Sequence, residues 1–134
     1  MATKFRLQVI TPNKAFLDEE VEKAVIRTTQ GDIAILHDHI ALVAPLKIGQ
    51  FTVINSKNKR FATIAGGFVH VDLDKTVVIT EAAEWQEEID LERAVEAKKR
   101  AEERLEKRRM EVDTLRAEMS LQRALNRIEL AEKK

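Results

Sequence analysis

The chain has 134 residues, with 23 Lys and Arg against 23 Asp and Glu, and no cysteine. That length holds one domain with a real core and an appendage, but not two ordinary domains. The charge balance provides no positive field for nucleic acid or an anionic membrane, and the lack of cysteine removes disulfides, thiolate catalysis and thiolate metal sites while fitting a reducing compartment.

The opening MATKFRLQVITPNK has no apolar run of signal-peptide length, and no segment approaches the roughly 20 apolar residues of a membrane span. A soluble, cytosolic chain with no direct membrane insertion is expected. Up to about residue 85 short runs rich in Val, Ile, Thr and Phe follow one another: FRLQVI, KAVIRTT, DIAIL, FTVIN, RFATIA, FVHVDL and KTVVIT. They are separated by PN, QGD, NSKNK, GG and DLD. The pattern predicts an all-β sandwich or barrel, with Val9, Ile26, Ile35, Leu42, Val53, Ile64, Val69 and Val78 in its core. The basic run 57–60 reads as a hairpin tip that blunts a sheet edge.

After Trp85 there is no Gly or Pro, and Ala, Glu, Lys, Arg and Leu dominate. This predicts two helices, about 90–108 and 114–132, the second opened by Asp113 or Thr114 as N-cap. Folded back, they form a hairpin. The inner stripe of the first carries Leu91, Ala94, Ala97 or Lys98, Ala101 and Leu105; that of the second carries Ala117, Leu121, Ala124, Ile128 and Ala131, and within LQRALNR Leu121, Ala124 and Leu125 share one stripe. Alanine buries little apolar area, so packing between two such helices is weak and the hairpin must lean on the β domain or a partner. Because the connection EKRRMEVDTLR has neither Gly nor Pro, its sequence also permits the hairpin to unfurl.

Little in the chain points to catalysis. His37 and His39 lack a third ligand nearby, and surface or loop histidines are the simpler reading of that pair. Gly66-Gly67 precedes a strand-like run and no helix, so a turn or bulge is expected there, not a phosphate loop. Ser56 and Ser120 sit in no nucleophile pattern. Glu19-Glu20 and Glu87-Glu88 read as solvated charges in turns or linkers.

Together, FRLQVITPNK, GDIAILHDHIALVAPL at 31–46, AGGFVHV at 65–71, KTVVITEAAE at 75–84, IDLERA and LQRALNR resemble the epsilon subunit of the bacterial F-type ATP synthase. The resemblance covers essentially the whole chain. It implies an α+β fold, with a flattened ten-stranded β-sandwich (1–85) followed by an antiparallel two-helix hairpin (86–134). It further implies a non-catalytic central-stalk subunit of a proton- or sodium-translocating synthase, peripheral on the cytoplasmic face of the bacterial plasma membrane. The sandwich would bind the gamma subunit and the membrane rotor ring, and the hairpin would inhibit ATP hydrolysis by extending toward the alpha and beta subunits. The alternative from another class is a free-standing β-sandwich binding protein with a helical oligomerisation tail, which sustained apolar heptads would have favoured.

The chain departs from the family's Gly-x-x-Gly-(Ile/Val)-Leu-Pro-Gly-His run. It keeps Gly31, Leu36 and His39 but has Ala34, His37 and Asp38 where Gly, Pro and Gly are usual; Asp is among the residues that best tolerate the left-handed region. By resemblance this is the edge facing the rotor ring, with Asp32 and His39 as candidate contacts. Family members that bind ATP on the folded hairpin use an Ile/Leu-Asp-x-x-Arg-Ala motif and an Arg-x-x-x-Arg pair. Ile89, Asp90, Arg93 and Ala94, with Arg123 and Arg127, match those positions, and Glu84 and Arg100 fall at positions lining the same site. Mg-ATP is thus the implied regulatory ligand, and no cofactor is required. Two guanidinium forks one helical turn apart suit phosphate oxygens, with Asp90 placed to orient Arg93. The same arginines could instead pair with Glu residues of the first helix or with acidic residues of the catalytic head. Without a glycine-rich phosphate loop, affinity should be modest and hydrolysis absent.

Overall fold

Along Phe5–Ile10 the side chains of Phe5, Leu7 and Val9 are buried and those between them are not, the period-two pattern of a strand with one face on a core. This is β1 of the structure, a computed structural model that describes residues 3–107 and 114–132. Seven more strands follow: β2 (Ala15–Val21), β3 (Lys23–Thr28), β4 (Gly31–Leu36), β5 (Leu42–Asn55), β6 (Asn58–Val71), β7 (Lys75–Ile79) and β8 (Ala83–Trp85). They form one sheet in the order β2-β1-β7-β6-β5-β3-β4, with β8 on β6. β1 and β7 are parallel and every other pair is antiparallel.

The sheet doubles over on itself into a sandwich, bringing β2 onto β5 although three strands separate them in the sheet. The Glu22 N–H donates to the Ile54 carbonyl at 3.2 Å, and the Asn55 amide donates to the Glu20 carbonyl at 3.1 Å. Between the layers lie Leu7, Val21, Ile26, Ile35, Phe51 and Ile64, each at most 1% exposed. Burying a side chain of that size contributes about 1.5–3 kcal/mol. The expected core residues are buried, apart from Leu42, which packs half-buried at the core's edge.

The sandwich has eight strands, not ten. The difference lies in β5 and β6, each 14 residues long and continuous through the fold where a ten-strand count would divide them. β5 bends opposite Arg27, where its register with β3 jumps from Ile26↔Phe51 to Thr28↔Leu46. A Cβ on Gly49 would stand 2.7 Å from the Arg27 Cδ, so glycine makes room at this bend for the Arg27 stem. In β6 the Gly66-Gly67 pair, expected to separate two strands, lies inside one. On one edge β6 pairs with β8 through Ala62–Ile64, then with β7 through Phe68–Val71. Gly67, at φ +110°, sits where that partner changes, and its Hα faces the Ile79 carbonyl so closely that a Cβ would lie 1.9 Å from the oxygen.

One other expectation changes. AFLDEEV forms β2, so Glu19 and Glu20 lie on an edge strand and not in a turn, and Glu19 pairs with Arg60. His37, Asp38 and His39 occupy the turn after β4, with Asp38 in the left-handed region at φ 64°. The carboxylate's tolerance of that region lets this turn form without the usual Pro-Gly pair. At the other hairpin tip, Asn55 faces Asn58 across a two-residue turn in which Ser56 has φ 58°.

The chain divides into two compact units, Met1–Trp85 and Gln86–Lys134. The second begins with a 3-10 turn, Gln86–Glu88, and contains α1 (Leu91–Lys107) and α2 (Thr114–Glu132) packed on each other. Asp113, a candidate N-cap for α2, lies outside the described residues. Ala94, Ala101, Ala117 and Ala124 are buried, while Ala97, Leu105, Leu121, Ile128 and Ala131 are half-buried. Leu91 and Leu125 are each 40% exposed, contrary to their expected places on the inner stripe. Leu91 opens the first turn, before α1 has reached its packed stripe, and Leu125 follows the buried Ala124 by about 100° of helix. Asn126 and Leu130 are buried instead, on a second face of α2 about 200° and 240° round from Ala124.

Candidate functional site

The start of α1 is organised by a carboxylate. Asp90 accepts the backbone N–H of Arg93 on Oδ1 at 3.2 Å, and its carbonyl accepts the N–H of Ala94 at 3.0 Å. This is N-cap geometry, satisfying a donor that the first helical turn would otherwise leave open. Asp90 therefore acts on the backbone of Arg93, where an action on its guanidinium was expected, and the Arg93 side chain is exposed. Just upstream, the Ile89 N–H closes the 3-10 turn on the Gln86 carbonyl at 3.3 Å. Ile89, Asp90, Arg93 and Ala94 thus form one stiffened segment, with Ala94 fully buried beneath it.

On α2, Arg123 and Arg127 are both half-buried and one turn apart. Arg123 donates from Nη2 to the Ser120 hydroxyl at 3.4 Å, a long contact, and no carboxylate pairs with it among the described residues. The Gln86 amide donates to the Leu130 carbonyl at 2.8 Å, which fixes the helices as antiparallel, the beginning of α1 beside the end of α2. That arrangement sets Asp90 and Arg93, at the start of α1, toward the half of α2 that carries Arg127, while Arg123 stands at the middle of α2. Arg100 is exposed two turns further along α1. Glu84 lies on β8, opposite Thr63 of β6, and belongs to the first unit. Among the described residues no cluster of His, Asp or Glu could hold a metal ion.

The two candidate ring contacts stand at opposite ends of β4. Asp32, near its start, is held by Arg27 Nε at 3.1 Å across the β3–β4 pair. His39, beyond its end, hydrogen bonds through Nδ1 to the Ile40 carbonyl at 2.8 Å, and its own N–H donates to the Leu36 carbonyl at 3.2 Å. Because the carbonyl can only accept, Nδ1 carries the proton. His39 borders an open cleft of about 510 Å³ lined also by His37, Asp38, Asp72, Asp74 and Lys75. Leu73, at 94% exposure, and Ile40, at 78%, project beside it.

Sequence reasoning missed three features. An apolar cleft of about 390 Å³ runs between Ile10, Pro12, Phe68 and Ile79, whose solvent-facing positions look individually ordinary in an alternating strand. Arg60 lies over the Trp85 ring at 4.9 Å, while Phe16 stacks on that ring at 4.7 Å. Arg6 and Gln8 both bond Asp18 across β1–β2, and the hydrogen bonds from Arg6 and then Gln8 hold the Asp18 carboxyl below the usual range. Only the aromatic and basic residue types could have hinted at the second of these.

Two family models match. Residues 4–86 match the ATP synthase Delta/Epsilon chain beta-sandwich domain, and residues 87–132 match the Delta/Epsilon chain long alpha-helix domain. The chain is 60% identical over 134 residues to the ATP synthase epsilon chain of Alkaliphilus metalliredigens, covering 100% of both. It is 43% identical over 126 residues to that of Bacillus velezensis, covering 94% of this chain and 96% of the relative. Among solved structures it is similar to a chain of the Euglena gracilis mitochondrial ATP synthase, OSCP/F1/c-ring in rotational state 1. That similarity has a TM-score of 0.82 at 26% identity, covering 94% of this chain and 80% of the other.

Proposed function

The chain belongs to the ATP synthase delta/epsilon family, as an epsilon chain, and from that premise we propose that it regulates ATP hydrolysis from the central stalk through a hairpin that opens and closes. The sandwich joins the gamma subunit and the rotor ring, and the open hairpin reaches the alpha and beta subunits. The observation that carries this reading is the composition of the α1–α2 contact. The buried residues of its facing stripes are Ala94, Ala101, Ala117 and Ala124, each with a single methyl to bury. Few kcal/mol then separate closed from open, a gap that contacts in the complex can cover. The exposed apolar cleft at Ile10, Phe68 and Ile79 supports subunit docking by the sandwich, as does the apolar projection of Ile40 and Leu73.

Mg-ATP is the ligand that would favour the closed form. Support comes from Arg123, half-buried with only the Ser120 hydroxyl as polar partner among the described residues and one turn from Arg127 on α2, and from the stiffened Ile89–Ala94 segment at the start of α1. Guanidinium forks there can take phosphate oxygens in charge-assisted bonds.

Truncation tests the regulatory reading. In the assembled complex, deleting residues 88–134 should raise ATP hydrolysis, and an engineered disulfide holding the hairpin closed should do the same. Unchanged hydrolysis in both would remove the hairpin from the mechanism.

A further inference from the structure

The end of α2 is held differently from the rest of the hairpin. Where the α1–α2 stripe is alanine, Leu130 is the one large hydrophobic side chain of the described helices that is fully buried. Its carbonyl is among the last four of α2 (129–132), which have no partner within the helix. The Gln86 carboxamide supplies one at 2.8 Å, across 44 residues of chain. This contact closes the end of the hairpin remote from the α1–α2 connection, where the helices have no covalent link to keep them together. The backbone presenting Gln86 is itself fixed by the Ile89 N–H and followed directly by the Asp90 cap.

We propose that the Gln86–Leu130 hydrogen bond is the latch of the closed hairpin, coupled to the nucleotide site through the short turn they share. The proposal rests on the regulatory reading above. Opening α2 takes the Leu130 carbonyl from the Gln86 amide. A closed hairpin without that amide leaves a part-buried carbonyl unsatisfied. The latch therefore biases the equilibrium from the free end, where a small separation frees the whole of α2. Ligand contacts to Ile89 and Asp90 would stiffen the turn that aims Gln86, which gives nucleotide a route to the far end of α2 without touching it.

The test uses the full chain, which has no cysteine of its own. Spin labels go on Glu96→Cys and Glu129→Cys, both exposed and outside the site and the latch. The label-to-label distance distribution is then measured with Gln86, with Gln86→Glu and with Gln86→Leu. At neutral pH Gln86→Glu keeps the shape but cannot donate, and Gln86→Leu keeps the bulk without polarity. Both should raise the fraction of widely separated labels about tenfold, the usual effect of losing one such hydrogen bond. No change in either variant, or a change in only one, overturns the latch. Because the hydrolysis assay uses truncation and not Gln86, the latch can fail while the regulatory reading stands, and the reverse.

Discussion

Replacing Gly67 by alanine should destabilise the sandwich far more than the same replacement at Gly31, although the two residues have nearly the same φ, +110° and +114°. An alanine in this sparsely populated region carries roughly 1–3 kcal/mol of strain at either site. Around Gly31 there is nothing within 4 Å, so strain is the whole cost. At Gly67 the new methyl would meet the Ile79 oxygen at 1.9 Å, the Ile79 carbonyl carbon at 2.9 Å and the Thr80 Cα at 3.0 Å. All three are backbone atoms, so no rotamer change relieves the contact, and β7 must move away from β6. Overpacking of this kind costs about 1–3 kcal/mol, and each ladder hydrogen bond lost adds about 1 kcal/mol. Gly67→Ala should therefore lose roughly 3–7 kcal/mol, a large part of the approximately 5–15 kcal/mol that holds a typical domain together. Urea unfolding followed by fluorescence reads the sandwich selectively, because Trp85 is the only tryptophan and lies on β8. The two variants should differ by at least about 2 kcal/mol. Equal destabilisation would mean that β7 yields without cost and that Gly67 is not what sets the junction.

Deleting residues 88–134 should leave a folded sandwich that still assembles with the complex, read by co-purification with the gamma subunit; an unfolded product would place part of the core's support in the helices. In calorimetry on the full chain, Arg123→Ala and Arg127→Ala should each weaken Mg-ATP binding at least about tenfold, as loss of a charge-assisted hydrogen bond does. Equal binding by the double variant and the parent would assign these arginines to protein contacts. Asp90→Asn should retain α1, since Asn caps as well as Asp, whereas Asp90→Ala should lose about 1 kcal/mol of helix stability; if only Ala weakens ATP binding, the cap and not the charge of Asp90 serves the site. Asp18 should titrate below an ordinary aspartate in an NMR pH series, and Arg6→Gln should remove most of that shift. Because its folded pKa is depressed, the Arg6–Asp18 contribution is complete above the ordinary aspartate pKa of about 3.9 and disappears as pH falls through the lower folded value. An ordinary Asp18 titration would show that the pair does not persist in solution.

Legibility in the sequence followed how local each feature's cause was. β1, β3, β4 and β7 were readable because alternate residues such as Leu7 and Val9 meet the core whatever else surrounds them. β2 was not, because Asp18, Glu19 and Glu20 look like a turn until Arg6 and Arg60 are seen opposite them on other strands. Gly66-Gly67 punctuates β6 not by ending it but by marking where its neighbour changes, a fact held in the pairing of distant segments. The helices were legible from composition, and their alanine stripe from period. Asn126 and Leu130 were not, since they lie off the stripe that the alanine period marks. For the candidate site, sequence assembled the residue types, but only coordinates showed Asp90 engaged with backbone and Gln86 reaching Leu130.

The unbroken length of β5 and β6 also matters mechanically. Thirteen residue pairs run in register from Leu42↔Val71 to Asn55↔Asn58, and a tight turn joins the strands at one end. A load directed along the strands is shared by all of those rungs at once, as in a lap joint. A load directed across them at the open end would unzip one rung after another. The long hairpin is thus stiff in one direction and compliant in the other, so a torque applied to this sandwich meets a resistance that depends on the angle at which it is gripped.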